Sequence, residues 1–121
     1  MTATPDYVWG VPSGPMHPAC LTAHADTMRP AHQGVDLVCE GDIVRNARGI
    51  LGADDRAGVY ALTLLVEDRV AKGQSLPCVL LTNGEERGCL GSKQFVKDGL
   101  LDQVTGIRLF IGLDRKGAND Y

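Results

Sequence analysis

The chain has 121 residues, of which 44% are hydrophobic and 22% are charged, and its formal net charge is −3. This length and composition indicate a single folded domain, residues 1–121, rather than a disordered chain. Because the net charge is negative and no broad basic face is available, we expect no nucleic-acid partner. No apolar run approaches the roughly 18 residues that a membrane span needs, so we expect no membrane partner either.

The cysteine pattern and the N-terminal sequence bear on the compartment. Cys20, Cys39, Cys78 and Cys89 form no Cys-x-x-Cys pair, so the spacing of zinc fingers and thioredoxin-type centres is absent. No basic segment followed by an apolar one opens the sequence, so we expect no signal peptide. We therefore expect four reduced thiols, mostly buried, and a cytoplasmic location.

The first half of the chain predicts short strands. Residues 7–11 alternate weakly and predict an edge strand, and the proline-rich residues 12–18 predict a turn. The compact apolar run 19–25 predicts a buried strand. Residues 35–39 and 42–44 flank a glycine and predict a hairpin.

The clearest helix is predicted over residues 56–72. Asp54 or Asp55 can cap its N-terminus, and Gly73 can end it. Gly58 costs about 1 kcal/mol relative to alanine inside a helix, so we expect a close backbone contact there. One apolar face repeats at three- and four-residue spacing, through Val59, Leu62, Leu65, Val66 and Val70.

Three more elements follow in the second half. Residues 78–82 and 107–113 predict buried strands, and residues 90–98 predict a helix closed by Gly99. Strands alternating with helices at these lengths predict a layered α/β fold with a largely parallel sheet.

Side chains of the kinds that bind metal ions follow the predicted strands or lie at the N-terminus of the long helix. Ligands of open parallel sheets bind at the carboxyl ends of the strands. Carboxylates that converge there repel each other unless a cation lies between them. The residues concerned are His24, Asp26, Asp54, Asp55, Glu85, Glu86 and Asp114.

Histidine with carboxylates is a ligand set of the zinc or manganese type. Asp26 lies two residues after His24 and can fix the imidazole tautomer that frees the metal-binding nitrogen. Glu85 and Glu86 are adjacent and would face opposite ways in a regular strand, so one can bind metal while the other acts as a general base.

Four segments match known motifs, in order, between residues 23 and 114. They read AHADT at 23–27, LGADDRAG at 51–58, TNGEERG at 82–88 and GLD at 112–114. As a set they resemble the di-zinc exopeptidases, which include peptidase T, the bacterial leucyl aminopeptidases, and related aminoacylases and carboxypeptidases. The resemblance implies a three-layer α/β sandwich with a largely parallel, mixed central sheet.

The resemblance also implies a role for each matching residue. Asp54 would bridge two zinc ions, and Asp55 would cap the helix rather than bind metal. One or two Zn²⁺ ions are implied, with Co²⁺ or Mn²⁺ as alternatives. The implied metal ligands are His24, Asp54, Glu86 and Asp114, and the implied catalytic residues are Glu85 as general base and Asp26 as the residue that orients His24.

Two features of that family have no counterpart in the sequence. The family has a further histidine ligand far downstream and several dozen more residues before the first motif, so we expect part of the catalytic domain to be missing. One metal would then be held well by His24, Asp54 and Asp114, and the second weakly. His17, His32, a homo-oligomer or a complementing chain could supply the missing ligand, and an uncovered sheet edge would favour self-association.

Two functions therefore stand as hypotheses. The first is zinc-dependent hydrolysis of an amide bond in a short peptide or N-acyl amino acid, by an aminopeptidase, dipeptidase or N-acyl amino acid hydrolase, with metal-activated water and Glu85 as general base. The second is a catalytically incompetent remnant, or one piece of a split enzyme, that binds metal without turnover.

Overall fold

The computed structural model describes residues 1–28 and 34–114. The described residues form seven strands and two helices, with a 3₁₀ turn at Leu101–Gln103 before the last strand. In chain order these are β1 (Thr2–Ala3), β2 (Tyr7–Gly10), β3 (Met16–His24), β4 (Leu37–Glu40), β5 (Ile43–Asn46), α1 (Ala53–Ala71), β6 (Leu76–Thr82), α2 (Leu90–Lys97) and β7 (Leu109–Gly112).

Five strands form the central sheet in the order β1-β2-β6-β3-β7. β6, β3 and β7 run parallel to one another, while β2 pairs antiparallel with β6 and β1 pairs antiparallel with β2. The predicted mixed sheet with a parallel centre is therefore confirmed. β4 and β5 form the predicted hairpin as a separate two-stranded sheet.

The two helices pack on opposite faces of this sheet. On one face, Leu62 of α1 packs with Leu21 and Ala23 of β3. On the other face, Phe95 of α2 packs against Tyr7 and Trp9, with ring centroids 5.3 and 4.9 Å away. Burying a side chain of the size of Leu62 or Phe95 stabilises the fold by about 1.5–3 kcal/mol. The arrangement is the predicted three-layer sandwich.

The start of α1 is irregular and places its first two acidic residues outside the regular helix. Asp54 and Asp55 have non-helical backbone angles, so regular helix begins at Arg56, as predicted. The Asp55 carboxylate accepts the Gly58 N–H at 3.1 Å, which is the predicted cap. A Cβ atom on Gly58 would lie 2.1 Å from Asp55 Oδ1 and 2.3 Å from the Leu113 carbonyl oxygen, so the predicted close contact is confirmed.

Some expectations from the sequence are wrong. β3 begins at Met16 rather than residue 19, because Met16 already pairs with Leu76 of β6. β2 is not an edge strand, because β1 pairs along its outer side. On α1, Leu65 and Val70 are exposed, so fewer residues pack against the sheet than the apolar face predicted from the sequence contains.

All four cysteines are free thiols, but only Cys20 and Cys78 are buried, while Cys39 and Cys89 are exposed. Neither described helix combines the length and the apolar character that crossing a bilayer requires.

Candidate metal centre

His24 is the last residue of β3, and its buried imidazole points at carboxylates from three other segments. Its Nε2 atom lies 3.1 Å from Asp54 Oδ1 at the start of α1. The same nitrogen lies 3.9 Å from Glu85 Oε2, after β6, and 3.7 Å from Asp114 Oδ2, after β7. The parallel strands thus deliver these side chains to one end of the sheet, where the sequence places them.

Glu86 joins the same group. His24, Asp54 and Glu86 each offer a ligand atom within 4.8 Å of the other two. The Asp54 side chain is 70% exposed, so this group is open to solvent on one side. An ion could enter from that side without unfolding any element.

The other ring nitrogen of His24 is held by Asp26. His24 Nδ1 lies 3.0 Å from the Asp26 carbonyl oxygen and 3.5 Å from the Asp26 carboxylate. A proton donated from Nδ1 to that carbonyl leaves the Nε2 lone pair facing the carboxylates, which is the tautomer that binds a metal. The nearer partner is the main chain of Asp26, not the side chain that the sequence predicted.

The Asp26 carboxylate has a second set of partners. It accepts the main-chain N–H groups of Glu85 at 3.1 Å and Glu86 at 3.3 Å. Burial alone raises the pKa of Asp26, but these hydrogen bonds outweigh burial and hold the pKa of the carboxyl below its ordinary value. Asp26 therefore positions the histidine chiefly through its main-chain carbonyl and both glutamates through its carboxylate.

Glu85 and Glu86 lie in a turn and not in a strand. The Glu85 carbonyl accepts the N–H groups of Gly88 at 2.9 Å and Cys89 at 2.9 Å. The expectation that alternation along a strand separates the two carboxylates is therefore wrong, because the chain leaves β6 at Thr82. The turn and the Asp26 anchor direct the two side chains instead.

Asp55 binds the main chain of His24 in addition to capping α1, whereas the sequence predicted only the cap. Its Oδ2 atom accepts the His24 N–H at 3.1 Å, while Oδ1 caps α1 at Gly58. Burial raises the pKa of this carboxyl, and the hydrogen bond from His24 partly opposes the increase. The sequence signal available for Asp55 was a capping carboxylate three residues before a helix-interior glycine. The Asp54–Asp55 peptide bond is cis.

The charge of the group favours a bound cation. Burial lowers the pKa of His24, but the Asp26 carbonyl and the charges of Asp114 and Asp55 outweigh it and raise the pKa of the imidazole. Within residues 1–28 and 34–114, no lysine or arginine lies within ion-pair distance of these carboxylates. One imidazole with several carboxylates fits Zn²⁺, Co²⁺ or Mn²⁺ in donor type.

The other histidines do not extend this ligand set within the described structure. His17 lies seven residues before His24 on the same strand, about 20 Å away at the usual rise per residue. Its Nδ1 accepts the Ala19 N–H at 3.2 Å. The hypothesis that His17 replaces the missing ligand is therefore wrong, and His32 lies outside the described residues.

A cleft of about 440 Å³ opens beside His24 on the α2 face of the sheet. Its floor is largely apolar, with Leu80 and Phe110, and its far end carries Glu85 and Asp114. An apolar floor that leads to a few polar groups is typical of small-ligand sites.

Comparisons with known proteins agree with this chemistry. Residues 11–121 match the peptidase family M28, whose members are zinc-dependent. The chain is 34% identical over 77 residues to the uncharacterized protein YqjE of Bacillus subtilis (strain 168), a match that covers 60% of this chain. The matched part spans about a fifth (20%) of that relative's length. No solved structure matches. The family match covers most of the chain and includes every residue of the metal group, and the chain therefore belongs to peptidase family M28.

Proposed function

We propose that this chain binds one or two divalent cations, zinc in the first place and Co²⁺ or Mn²⁺ as alternatives, and hydrolyses an amide bond. The substrate is a short peptide or an N-acyl amino acid. The observation that carries the proposal is the convergence of His24, Asp54 and Glu86 within 4.8 Å, although 30 or more residues separate each from the next.

Each residue of the group has a role in this proposal. His24, Asp54, Glu86 and Asp114 hold the metal, which when bound activates water and polarises the substrate carbonyl. The Glu85 carboxylate takes the proton from the attacking water and passes it to the leaving amine.

The position of Glu85 supports that assignment. Glu85 Oε2 lies 3.9 Å from His24 Nε2, too far for a hydrogen bond, so this oxygen is available to a water molecule, while Glu85 Oε1 accepts the Cys89 thiol at 3.7 Å. The hydrogen bond from its main-chain N–H to Asp26 fixes where the side chain starts.

Zinc titration combined with an activity assay tests the proposal. We expect calorimetry to give at least one zinc per chain, and zinc-loaded protein to hydrolyse an aminoacyl anilide or an N-acyl amino acid. In Glu85→Gln, zinc binding should persist while turnover falls by about 10²-fold or more. Glu67→Gln is the matched control, because Glu67 is exposed on α1 and should change neither quantity.

The outcomes separate the two hypotheses from the sequence. Stoichiometric zinc binding with no turnover on either substrate class would support the alternative, a remnant or part of a split enzyme that only binds metal. Failure to bind zinc, Co²⁺ or Mn²⁺ would contradict both. A cytoplasmic location remains part of the proposal and is tested by fractionation of cells that produce the chain.

A further inference from the structure

A short loop joins β6 to α2 and carries both glutamates of the metal group. This glutamate loop, residues 83–89, lies between the end of β6 and the start of α2. The Asp26 carboxylate holds its middle, since it accepts the main-chain N–H groups of Glu85 and Glu86. A second set of contacts holds the first residue of the loop, Asn83.

The start of the chain forms a turn beside this loop. Thr4 Oγ1 accepts the main-chain N–H groups of Asp6 at 3.2 Å and Tyr7 at 3.1 Å. The Thr4 N–H donates to the Tyr7 carbonyl at 2.9 Å. Tyr7 then pairs with Thr82, the last residue of β6. The antiparallel pairing of β2 with β6 therefore sets this N-terminal turn, residues 4–7, against the start of the glutamate loop.

Asn83 binds the N-terminal turn through both its main chain and its side chain. Its main-chain N–H donates to the Asp6 carbonyl at 2.8 Å, and its side-chain Nδ2 donates to the Pro5 carbonyl at 3.0 Å. Its own carbonyl accepts the Gly91 N–H, from the first turn of α2, at 2.9 Å. A Cβ atom on Gly91 would lie 2.2 Å from the Asp6 carbonyl oxygen and 2.5 Å from that of Asn83, so the three segments are in direct contact.

These contacts fix the glutamate loop on both sides of a buried glycine. Asn83 is held before Gly84, and Glu85 and Glu86 are held after it by Asp26. Because the main chain is tied at both positions, the two glutamate side chains start from defined places. Removing groups that orient metal ligands commonly lowers metal affinity by about 10- to 100-fold.

We propose that Asn83 is a positioning residue for the metal group. By binding the N-terminal turn, it holds the loop so that Glu86 reaches the metal and Glu85 reaches the attacking water. This inference rests on the proposed function, because it concerns the ligand and the general base named there. The N-terminal turn precedes residue 11, where the match to the peptidase family begins, so the family match does not account for this anchor.

Zinc calorimetry on Asn83→Asp tests the proposal through the sign of the change. The substitution keeps the size of the side chain but replaces the donor to the Pro5 carbonyl with an oxygen that this carbonyl repels. A negative charge added near the metal group would by itself strengthen zinc binding. If Asn83 positions the glutamates, zinc affinity should instead fall by about 10-fold.

Two more variants accompany this measurement. Gln94→Glu is the matched control, because it is also a change from amide to carboxylate, and the Gln94 amide donates to Asp98 Oδ1 at the C-terminal end of α2 rather than to the N-terminal turn. It should leave zinc affinity unchanged. Gly91→Ala keeps Asn83 but crowds the Asp6 carbonyl, so it should lower zinc affinity as Asn83→Asp does.

Trypsin digestion of the metal-free chain provides a readout that needs neither zinc nor turnover. Arg87 is exposed within the glutamate loop and gives trypsin a cleavage site there. Loss of one net hydrogen bond should raise the rate of cleavage after Arg87 by about 2- to 10-fold in Asn83→Asp. Cleavage after Arg45, in the separate hairpin, should keep its rate, and Gln94→Glu should change neither rate.

The combined results separate this inference from the proposed function. Zinc affinity that is unchanged or higher in Asn83→Asp, or an unchanged rate of cleavage after Arg87, would overturn the positioning role. Faster cleavage of Asn83→Asp, together with an unchanged chain that binds no zinc, would support the hold of Asn83 on the loop and contradict the proposed function. Circular dichroism and Trp9 fluorescence, compared with the unchanged chain, confirm that each variant is folded.

Discussion

Gly58→Ala gives the sharpest test of how α1 is joined to the metal group. In an ordinary helix interior this substitution would stabilise the protein by about 1 kcal/mol. Here the new Cβ would lie 2.1 Å from Asp55 Oδ1 and 2.3 Å from the Leu113 carbonyl oxygen, well inside van der Waals contact. Neither neighbour is a free side-chain end, because Asp55 is only 3% exposed and Leu113 contributes main chain.

The expected magnitude follows from two losses that oppose the helix gain. Crowding a packed site costs about 1–3 kcal/mol. Displacing the Asp55 carboxylate also removes the cap on the Gly58 N–H, which is worth about 1 kcal/mol. We therefore expect a net destabilisation of about 1–3 kcal/mol, opposite in sign to the helix propensity.

Displacing Asp55 and Leu113 should also shift the proposed metal ligands. Asp55 holds the His24 main chain, and Leu113 directly precedes Asp114. We expect zinc affinity to fall by about 10-fold or more, as it does when the groups that orient metal ligands are disturbed. Urea unfolding followed by Trp9 fluorescence and zinc calorimetry measure the two effects.

Thr63→Ala is the matched control, because Thr63 is exposed on the same helix and lies away from the ligands. It should change the free energy of unfolding by no more than about 0.5 kcal/mol and leave zinc affinity unchanged. If Gly58→Ala is as stable as the unchanged chain and binds zinc equally well, the close approach of α1 to Asp55 and Leu113 is refuted.

Three further predictions use other contacts. Asp26→Asn should lower zinc affinity by about 10-fold, because a carboxylate that anchors the main chain of both glutamates is lost; equal affinity in calorimetry would contradict this role. The hydrogen bond to Asp98 raises the pKa of Tyr7 from 10.0 to about 12, so its stabilising effect should be present below pH 10 and lost as pH rises towards 12. Urea midpoints across that range should fall for the unchanged chain, and a fall of the same size in Tyr7→Phe would sink the assignment. Burial raises the pKa of Cys20 to about 12 and also raises that of Cys78, so a thiol reagent at pH 8 should modify only the two exposed cysteines before unfolding.

Local sequence patterns predicted the strands and helices that have an apolar face or a capping residue at the helix N-terminus. Helix α1 begins regularly at Arg56 because Asp55 accepts the Gly58 N–H, and both residues are adjacent in sequence to the helix they start. The carboxyl ends of the parallel strands could be placed together because a shared strand direction follows from the alternation of strands and helices. The gathering of these residues was therefore expected from chain order and residue type, while the role of each came from the resemblance to the di-zinc exopeptidases.

The sequence by itself thus determined the layered α/β fold, the cap and backbone contact at the start of α1, and which end of the sheet gathers the acidic residues. Tertiary structure alone decided that the Asp26 carbonyl holds His24 and that the Asp26 carboxylate holds a turn 59 residues away. It also decided the spacing of the ligand atoms of His24, Asp54 and Glu86, which lie within 4.8 Å of one another, whereas the resemblance had implied only which residues belong together. The physical reason is range: caps and periodicity act within a few residues, whereas these contacts exist only after separate strands have aligned and fixed their ends.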